Sequence, residues 1–218
     1  MKKTTIFLFG DSITRGSFDT EAGGWADRLK MSANITSLKN ELKPIVTVFN
    51  LGIGGNTTAD LLKRFIFETE QRITKGGDTF FIFSFGTNDS AFLIEKNQYA
   101  VNKDQYIKNI EQVIEEVKVY SSNIIFLTSP PVIEEKAKGA SLVGKSRVNS
   151  DIQIYNESLS AVCEREKIDI IDINKIFLNS ENYKDLFIDD GIHPNTNGHI
   201  LIYSIVKDYL VKKGVLIN

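Results

Sequence analysis

Short apolar runs rich in β-branched and aromatic residues alternate with longer segments of helical periodicity along the chain. The apolar runs predict five strands, at residues 4–9, 45–50, 79–84, 124–128 and 168–171. The periodic segments predict five helices, at residues 25–38, 57–73, 104–120, 150–166 and 197–212. Strands that alternate with helices are typical of βαβ units. We therefore predict an α/β fold with a five-stranded parallel sheet and helices on both of its faces.

No internal repeat, low-complexity tract or linker interrupts this alternation, so we expect one domain over residues 1–218. The 26 basic and 28 acidic residues give a net charge of −2, which provides no general attraction to nucleic acid or anionic membranes. A single cysteine, Cys163, excludes an intrachain disulfide. The apolar run at residues 6–9 is too short for a signal peptide or a membrane span, so we expect a cytoplasmic protein.

Ligands of parallel α/β folds bind outside the carboxyl ends of the strands, so the residues that follow each predicted strand matter most. Glycine, serine, asparagine and aspartate are concentrated there. The segments are Gly-Asp-Ser at 10–12, Gly-Ile-Gly-Gly-Asn at 52–56, Gly-Thr-Asn-Asp at 86–89 and Ser-Pro-Pro at 129–131. The segment Asp-Gly-Ile-His-Pro at 190–194 precedes the last predicted helix.

The two histidines of the chain differ in their surroundings. His199 lies inside the last predicted helix, where we expect a packed or solvated side chain. His193 precedes Pro194, which favours extended backbone and keeps it out of that helix. Asp190, three residues earlier, can reach Nδ1 of His193, fix its tautomer and stabilise the imidazolium. A loop histidine with a purely local hydrogen bond is the alternative interpretation.

A histidine–aspartate pair can activate a serine, and Ser12 follows the first strand directly. Asp11 and Ser12 are also residues that favour a helix N-cap, and both interpretations can hold together. Acyl transfer requires donors for the oxyanion. Gly55 can bring its backbone N–H close to a ligand, and Asn88 offers a side-chain amide, although both residue types also favour turns.

Four segments together resemble the GDSL family, also called the SGNH hydrolases. They are FLFGDSITRG at 7–16, NLGIGGNTT at 50–58, FGTND at 85–89 and DGIHP at 190–194, in the order and at the spacing of the family. Ile13 replaces the leucine of the GDSL motif, at a position that only packs. The α/β-hydrolase motif GxSxG is absent from the sequence, which disfavours that other serine-hydrolase fold.

The resemblance implies a flavodoxin-like three-layer α/β/α sandwich and a role for each matching position. Ser12 corresponds to the nucleophile, His193 to the general base and Asp190 to the carboxylate that orients it. Ser12 and Gly55 correspond to the backbone donors of the oxyanion hole, and Asn88 to its side-chain donor.

Residues 139–146 match the phosphate-binding pattern GxxxxGK[ST], which points to a nucleotide-binding protein instead. That pattern requires a strand directly before it and a helix directly after it, and the sequence predicts neither. We interpret residues 134–148 as a mobile basic loop that borders the acyl or leaving-group pocket. Without an HExxH or CxxC motif, zinc has little support, and we expect neither a metal nor a cofactor.

We therefore predict a serine esterase or acylhydrolase that acts on a small-molecule ester through an acyl-enzyme. A short acyl chain is favoured, while a simple ester, a lysophospholipid, a thioester and an acetylated sugar all remain open. A nucleotide-binding protein and a non-catalytic binding module on the same fold are the alternatives. The oligomeric state is left open by the sequence.

Overall fold

A computed structural model of the protein describes residues 3–41, 44–137 and 144–217. Five strands form a parallel sheet: β1 (Lys3–Gly10), β2 (Ile45–Gly52), β3 (Asp78–Ser84), β6 (Asn123–Leu127) and β8 (Asp169–Ile171). Their order across the sheet is β2-β1-β3-β6-β8, which is the flavodoxin-like order. The predicted α/β fold with its five-stranded parallel sheet is confirmed.

Five long helices cover the sheet: α2 (Trp25–Lys39), α3 (Thr58–Glu70), α4 (Lys103–Lys118), α6 (Asn149–Glu166) and α8 (Thr196–Lys212). They match the five predicted helices, with ends that differ by at most three residues. The largest difference is in α3, where Thr57 is the N-cap of a capping box with Asp60 and the helix ends at Glu70. The last turn of the predicted helix, residues 71–73, is not part of α3.

Two apolar cores lie on opposite faces of the sheet because side chains alternate along each strand. Ile6 and Leu8 of β1 face α2 and α8, whereas Phe7 and Phe9 face α3, α4 and α6. The second core is rich in aromatic rings, with Phe81 stacked 5.0 Å from Phe7. It also buries Cys163, and this burial raises the pKa of the thiol to about 12.

Several short elements were not predicted, because runs of two to six residues show no periodicity. They are α1 (Ser12–Arg15), α5 (Glu134–Ala137), α7 (Ile173–Leu178), a 3₁₀ turn (Tyr183–Leu186), and the strands β4 (Phe92–Leu93), β5 (Gln98–Tyr99) and β7 (Lys145–Ser146). The last three form a small antiparallel sheet in the order β5-β4-β7.

The segment predicted as a mobile loop, residues 134–148, is therefore partly regular. It contains α5 and β7, and β7 is fixed by pairing with β4. Residues 138–143 lie outside the described part of the chain. In the ranges that the structure describes, no helix is long and apolar enough to cross a membrane.

We expect that truncation of the central ring of the aromatic core destabilises the protein strongly. Phe81 is fully buried in β3, so Phe81→Ala should cost about 3–5 kcal/mol of the free energy of unfolding. Phe67, which is 68% exposed on α3, provides the matched control, and Phe67→Ala should change stability by less than about 0.5 kcal/mol. Urea unfolding followed by circular dichroism measures both. Equal losses in the two variants would contradict the described core.

Candidate functional site

Ser12 and His193 meet at the carboxyl edge of the sheet, although 181 positions separate them. Ser12 Oγ lies 2.8 Å from His193 Nε2, and His193 Nδ1 lies 2.5 Å from Asp190 Oδ2. The structure therefore brings together the three residues that the sequence analysis selected as nucleophile, base and orienting carboxylate. Such a chain of two hydrogen bonds allows a serine to lose its proton to the histidine.

The local backbone explains how Ser12 reaches the edge of the sheet. Asp11 is the N-cap of α1, and its Oδ1 accepts a hydrogen bond of 2.8 Å from the N–H of Ile13. Gly10 packs so closely that a Cβ there would lie 2.0 Å from Thr14 Oγ1. The glycine thus allows a sharp turn from strand to helix, and Ser12 is the first residue of α1. Both interpretations of the Asp-Ser pair, cap and active serine, fit this geometry.

Asp190 is held by hydrogen bonds that favour its ionised form. Its Oδ1 accepts from the backbone N–H groups of Ile192, at 2.8 Å, and His193, at 2.9 Å. Partial burial opposes the charge, but the hydrogen bonds from His193 and Ile192 lower the pKa of Asp190 below its ordinary value. The carboxylate is therefore ionised near neutral pH, and it can stabilise a protonated His193.

Gly55 and Asn88 lie beside Ser12 along one cavity of about 370 Å³. Gly55 has a φ of 78°, which favours glycine, and a Cβ there would meet nothing within 4 Å. Among the described residues, none accepts a hydrogen bond from the Gly55 backbone N–H. The cavity is lined in addition by Ile13, Thr87, Lys145, Arg147, Asp190, Ile192 and His193.

Both hydrogens and the oxygen of the Asn88 amide have partners within the protein. Its Nδ2 donates to Asp11 Oδ2 at 3.1 Å and to the backbone oxygen of Asn56 at 3.2 Å. Its Oδ1 accepts a hydrogen bond of 2.8 Å from Arg147 Nη2. The sequence analysis predicted Asn88 as a donor but gave no sign of these three partners, which come from distant segments.

Two buried carboxyl groups lie next to this network. Burial raises the pKa of Asp11 to about 6, although the N–H of Ile13 and the charges of His193 and Arg147 oppose the rise. Burial also raises the pKa of Asp89 to about 6. Hydrogen bonds from the hydroxyl of Thr58, at 2.6 Å, and from its N–H, at 2.9 Å, act in the opposite direction and lower this pKa. Asp89 Oδ2 is buried without a partner among the described residues. The ionised forms of these carboxyl groups are therefore costly at neutral pH.

Two residues near Ser12 and His193 carried no sequence signal. Arg147 is buried beside Asn88, and Phe18 packs edge-on against the His193 ring at 5.1 Å between centroids. Phe18 is 54% exposed and has a φ of 70°, which is uncommon for an aromatic residue. Both positions depend on tertiary packing, so periodicity and motif spacing could not identify them.

The remaining candidates of the sequence analysis lie elsewhere or lack the required context. His199 is fully buried, accepts from the Trp25 N–H at 3.4 Å and lies 3.1 Å from the backbone oxygen of Ser17, as expected for a packed histidine. In the phosphate-loop pattern, Lys145 and Ser146 should begin a helix, but they form β7. Residues 139–143 of that pattern lie outside the described ranges. Over the described residues, no group of three or more metal-ligating side chains occurs.

A larger groove of about 510 Å³ lies between α6 and α7. The residues described along it include no histidine that could serve as a base. Size alone therefore does not identify the site, whereas the cavity beside Ser12 has convergent reactive groups.

Comparison with known proteins gives a consistent match. The model of the GDSL-like lipase/acylhydrolase family matches residues 8–201. The lipoprotein YqeF of Bacillus subtilis (strain 168) is 27% identical over 222 residues, which cover 93% of this chain and 88% of that protein. The GDSL esterase/lipase CPRD49 of Arabidopsis thaliana is 27% identical over 84 residues, which cover 37% of this chain and 33% of that protein.

Solved structures share the fold over nearly the whole chain. A lipase/acylhydrolase from Enterococcus faecalis has a TM-score of 0.73 at 23% identity, with 98% of this chain and 97% of that chain covered. Axe2, an acetylxylan esterase from Geobacillus stearothermophilus, has a TM-score of 0.67 at 19% identity, with 95% and 93% covered. At these identities the likeness describes the fold.

The raised pKa of Asp89 predicts a stability that depends on pH. Its carboxyl takes up a proton at about pH 6 in the folded state but only near 3.8 in the unfolded state, so folding is favoured as pH falls from about 6 toward 4. From pH 7.5 to pH 5 this carboxyl should add about 1.4 kcal/mol to the free energy of unfolding.

Asp89→Asn removes that pH-dependent contribution. The free energy of unfolding of wild type minus that of the variant should therefore rise by about 1.4 kcal/mol when the pH falls from 7.5 to 5. Urea unfolding of both proteins at each pH measures it. The comparison cancels the effect of His199, whose pKa is lowered by burial and which therefore destabilises the fold as pH falls. A difference that is constant with pH would show that Asp89 does not titrate in this range.

Proposed function

Because this chain belongs to the GDSL-like lipase/acylhydrolase family, we propose that it is an esterase whose nucleophile is Ser12, whose base is His193 and whose orienting carboxylate is Asp190. The observation that carries this proposal is the continuous pair of hydrogen bonds, 2.8 Å from Ser12 Oγ to His193 Nε2 and 2.5 Å from His193 Nδ1 to Asp190 Oδ2. The reaction needs no cofactor, since the side chains supply both nucleophile and proton carrier.

The proposed reaction has two steps. His193 Nε2 accepts the proton of Ser12 as Oγ bonds to the ester carbonyl carbon, and the same nitrogen returns the proton to the leaving alcohol as the ester C–O bond breaks. Water then gives a proton to His193 and attacks the acyl-enzyme. Ser12 regains that proton, and the carboxylic acid leaves. Asp190 stabilises the imidazolium in both steps.

The carbonyl oxygen becomes negative in each tetrahedral intermediate and requires donors. We assign the backbone N–H groups of Ser12 and Gly55 and the Nδ2 of Asn88 to this role. Since both Asn88 hydrogens have acceptors within the protein, we propose that the oxyanion takes over the one given to the Asn56 backbone oxygen. The bond to Asp11 then keeps the amide in place.

The dimensions of the cavity support a small substrate. Its volume of about 370 Å³ is near the lower end of the range of about 300–1,000 Å³ for small-molecule sites. Ile13 and Ile192 are the aliphatic side chains along it. We propose an ester with a short acyl group, and an acetyl ester is a natural first candidate, since the fold is shared with a protein named an acetylxylan esterase.

The cellular location remains a prediction. The amino-terminal sequence suggested a cytoplasmic protein, whereas a relative at 27% identity is named a lipoprotein. Fractionation of cells that express the full-length protein, followed by immunoblotting, distinguishes a cytoplasmic from a membrane-associated product.

Ser12→Ala should fold normally and hydrolyse p-nitrophenyl acetate at the background rate, because it removes the nucleophile and leaves the rest of the cavity intact. A fluorophosphonate probe should label wild type at Ser12 and leave the variant unlabelled. Ser17→Ala is a suitable control, since that serine lies outside the triad. A Ser12→Ala protein that retains most of the wild-type kcat would refute the assignment of the nucleophile.

Asn88→Ala should lower kcat by roughly 10²–10³ with little change in KM, because its donor matters most when the carbonyl oxygen is negative. The alternative is a role limited to the turn after β3, which would lower the melting temperature and leave the folded fraction with normal turnover. Melting temperature and kcat on p-nitrophenyl acetate are therefore measured together. Normal turnover per folded molecule would remove Asn88 from the oxyanion hole.

We predict that kcat/KM is highest for acetyl or butyryl esters and falls for longer chains, because a long acyl chain exceeds the cavity. A series of p-nitrophenyl esters from acetyl to palmitoyl, assayed below their micelle concentrations, measures this. A palmitoyl ester that reacts faster than a butyryl ester would contradict the proposed substrate class without affecting the assignment of Ser12.

A further inference from the structure

Arg147 lies between β7 and α6, and its side chain is buried beside the cavity that contains Ser12. The residue is only 6% exposed, and a buried guanidinium requires acceptors for its N–H groups. Its Nε donates to the backbone oxygen of Thr87 at 3.0 Å, and its Nη2 donates to Asn88 Oδ1 at 2.8 Å. Both acceptors belong to the turn that follows β3, so one planar group holds two consecutive residues of that turn.

This contact helps to fix which way the Asn88 amide faces. The oxygen and nitrogen of an amide are interchangeable in shape, so only hydrogen-bond partners determine the orientation. Arg147 can only donate, and it therefore requires Oδ1 on its own side. Nδ2 must then face Asp11 Oδ2 and the backbone oxygen of Asn56, at 3.1 and 3.2 Å. Without Arg147, the orientation of the amide would depend only on the two acceptors on its other side, Asp11 and the Asn56 backbone oxygen.

The charge of Arg147 acts in the same direction. It lies near Asp11, the acceptor on the other side of Asn88, and it favours the ionised form of that carboxyl. An ionised Asp11 can only accept from Asn88, whereas a protonated one could also donate. Arg147, Asn88 and Asp11 thus form one directed series of hydrogen bonds from the guanidinium to the carboxylate.

We propose that Arg147 is a positioning residue of the esterase, which orients the Asn88 amide so that its N–H is available to the oxyanion. The inference rests on the proposed function, because it requires Asn88 to donate to the substrate. It adds a residue that none of the four sequence motifs contains. Its role is exerted through Asn88, and no contact with the ester is needed.

A double-mutant cycle tests this dependence. Arg147→Ala should lower kcat on p-nitrophenyl acetate by about 10–100-fold with KM within about twofold, a part of the loss expected for removing the donor itself. In the Asn88→Ala background the same substitution should change kcat by less than about threefold, because the residue through which it acts is gone. If Arg147→Ala lowers kcat by the same factor in wild type and in Asn88→Ala, the proposal is overturned. Turnover at the wild-type rate by folded Arg147→Ala would also overturn it.

Arg147→Lys separates the effect of orientation from the effect of charge. It also replaces Arg147→Ala in the double-mutant cycle if the alanine variant does not fold. A lysine keeps the charge but lacks the planar fork that reaches Thr87 and Asn88 together, so we expect a kcat at least about fivefold below wild type. Turnover equal to wild type would show that charge alone suffices and would overturn the orienting role. Arg72→Ala is the matched control, since Arg72 bonds to Glu68 near the end of α3 and should leave kcat unchanged.

Ser12→Ala, assayed beside these variants, distinguishes a failure of the positioning role from a failure of the proposed function. If Ser12→Ala is inactive and the Arg147 variants behave as wild type, only the positioning role fails. If Ser12→Ala retains activity, the proposed function itself fails, together with the inference that rests on it.

Discussion

Parallel pairing of β1 with both of its neighbours determines where the site can form. Gly10 at the end of β1 pairs with Gly52 of β2 and with Ser84 of β3, so the three strands end at one level. The turns after them carry Ser12, Gly55 and Asn88. A shift of one residue in this register would also exchange the two faces of β1, which are both buried. The core and the site therefore depend on the same pairing.

The site also has an energetic cost that the rest of the fold must offset. Asp11 and Asp89 are fully or almost fully buried, and their ionised forms are disfavoured there. A structure selected for stability alone would replace them with neutral groups. Their positions around Asn88 and the first turn of α3 suggest a reason for that cost, since they place fixed acceptors next to the proposed oxyanion donors. The aromatic core on the adjacent face supplies the compensating burial.

Much of the fold could be predicted because its five strands are short apolar runs and its five long helices have helical periodicity. The pairing of His193 with Asp190 could also be predicted, since a separation of three residues in a loop flanked by proline allows few other geometries. The role of Arg147 could not be predicted, because its partners Thr87 and Asn88 lie 60 and 59 positions away along the chain. The short strand before it has no period, and no local pattern reveals which backbone oxygen a buried arginine meets. The roles assigned to the site residues and the single domain remain predictions.

The separation of Ser12 from His193 along the chain has a consequence for biosynthesis. Ser12 leaves the ribosome long before His193, its proposed base, which follows only after β8, α7 and the 3₁₀ turn. A nascent chain that has emerged as far as β8 carries a serine with no partner to activate it. If the proposed chemistry is correct, hydrolysis begins only when the segment that carries His193 has docked against the turn that carries Ser12. Ester turnover then requires that docking, and fragments that end before His193 are inert.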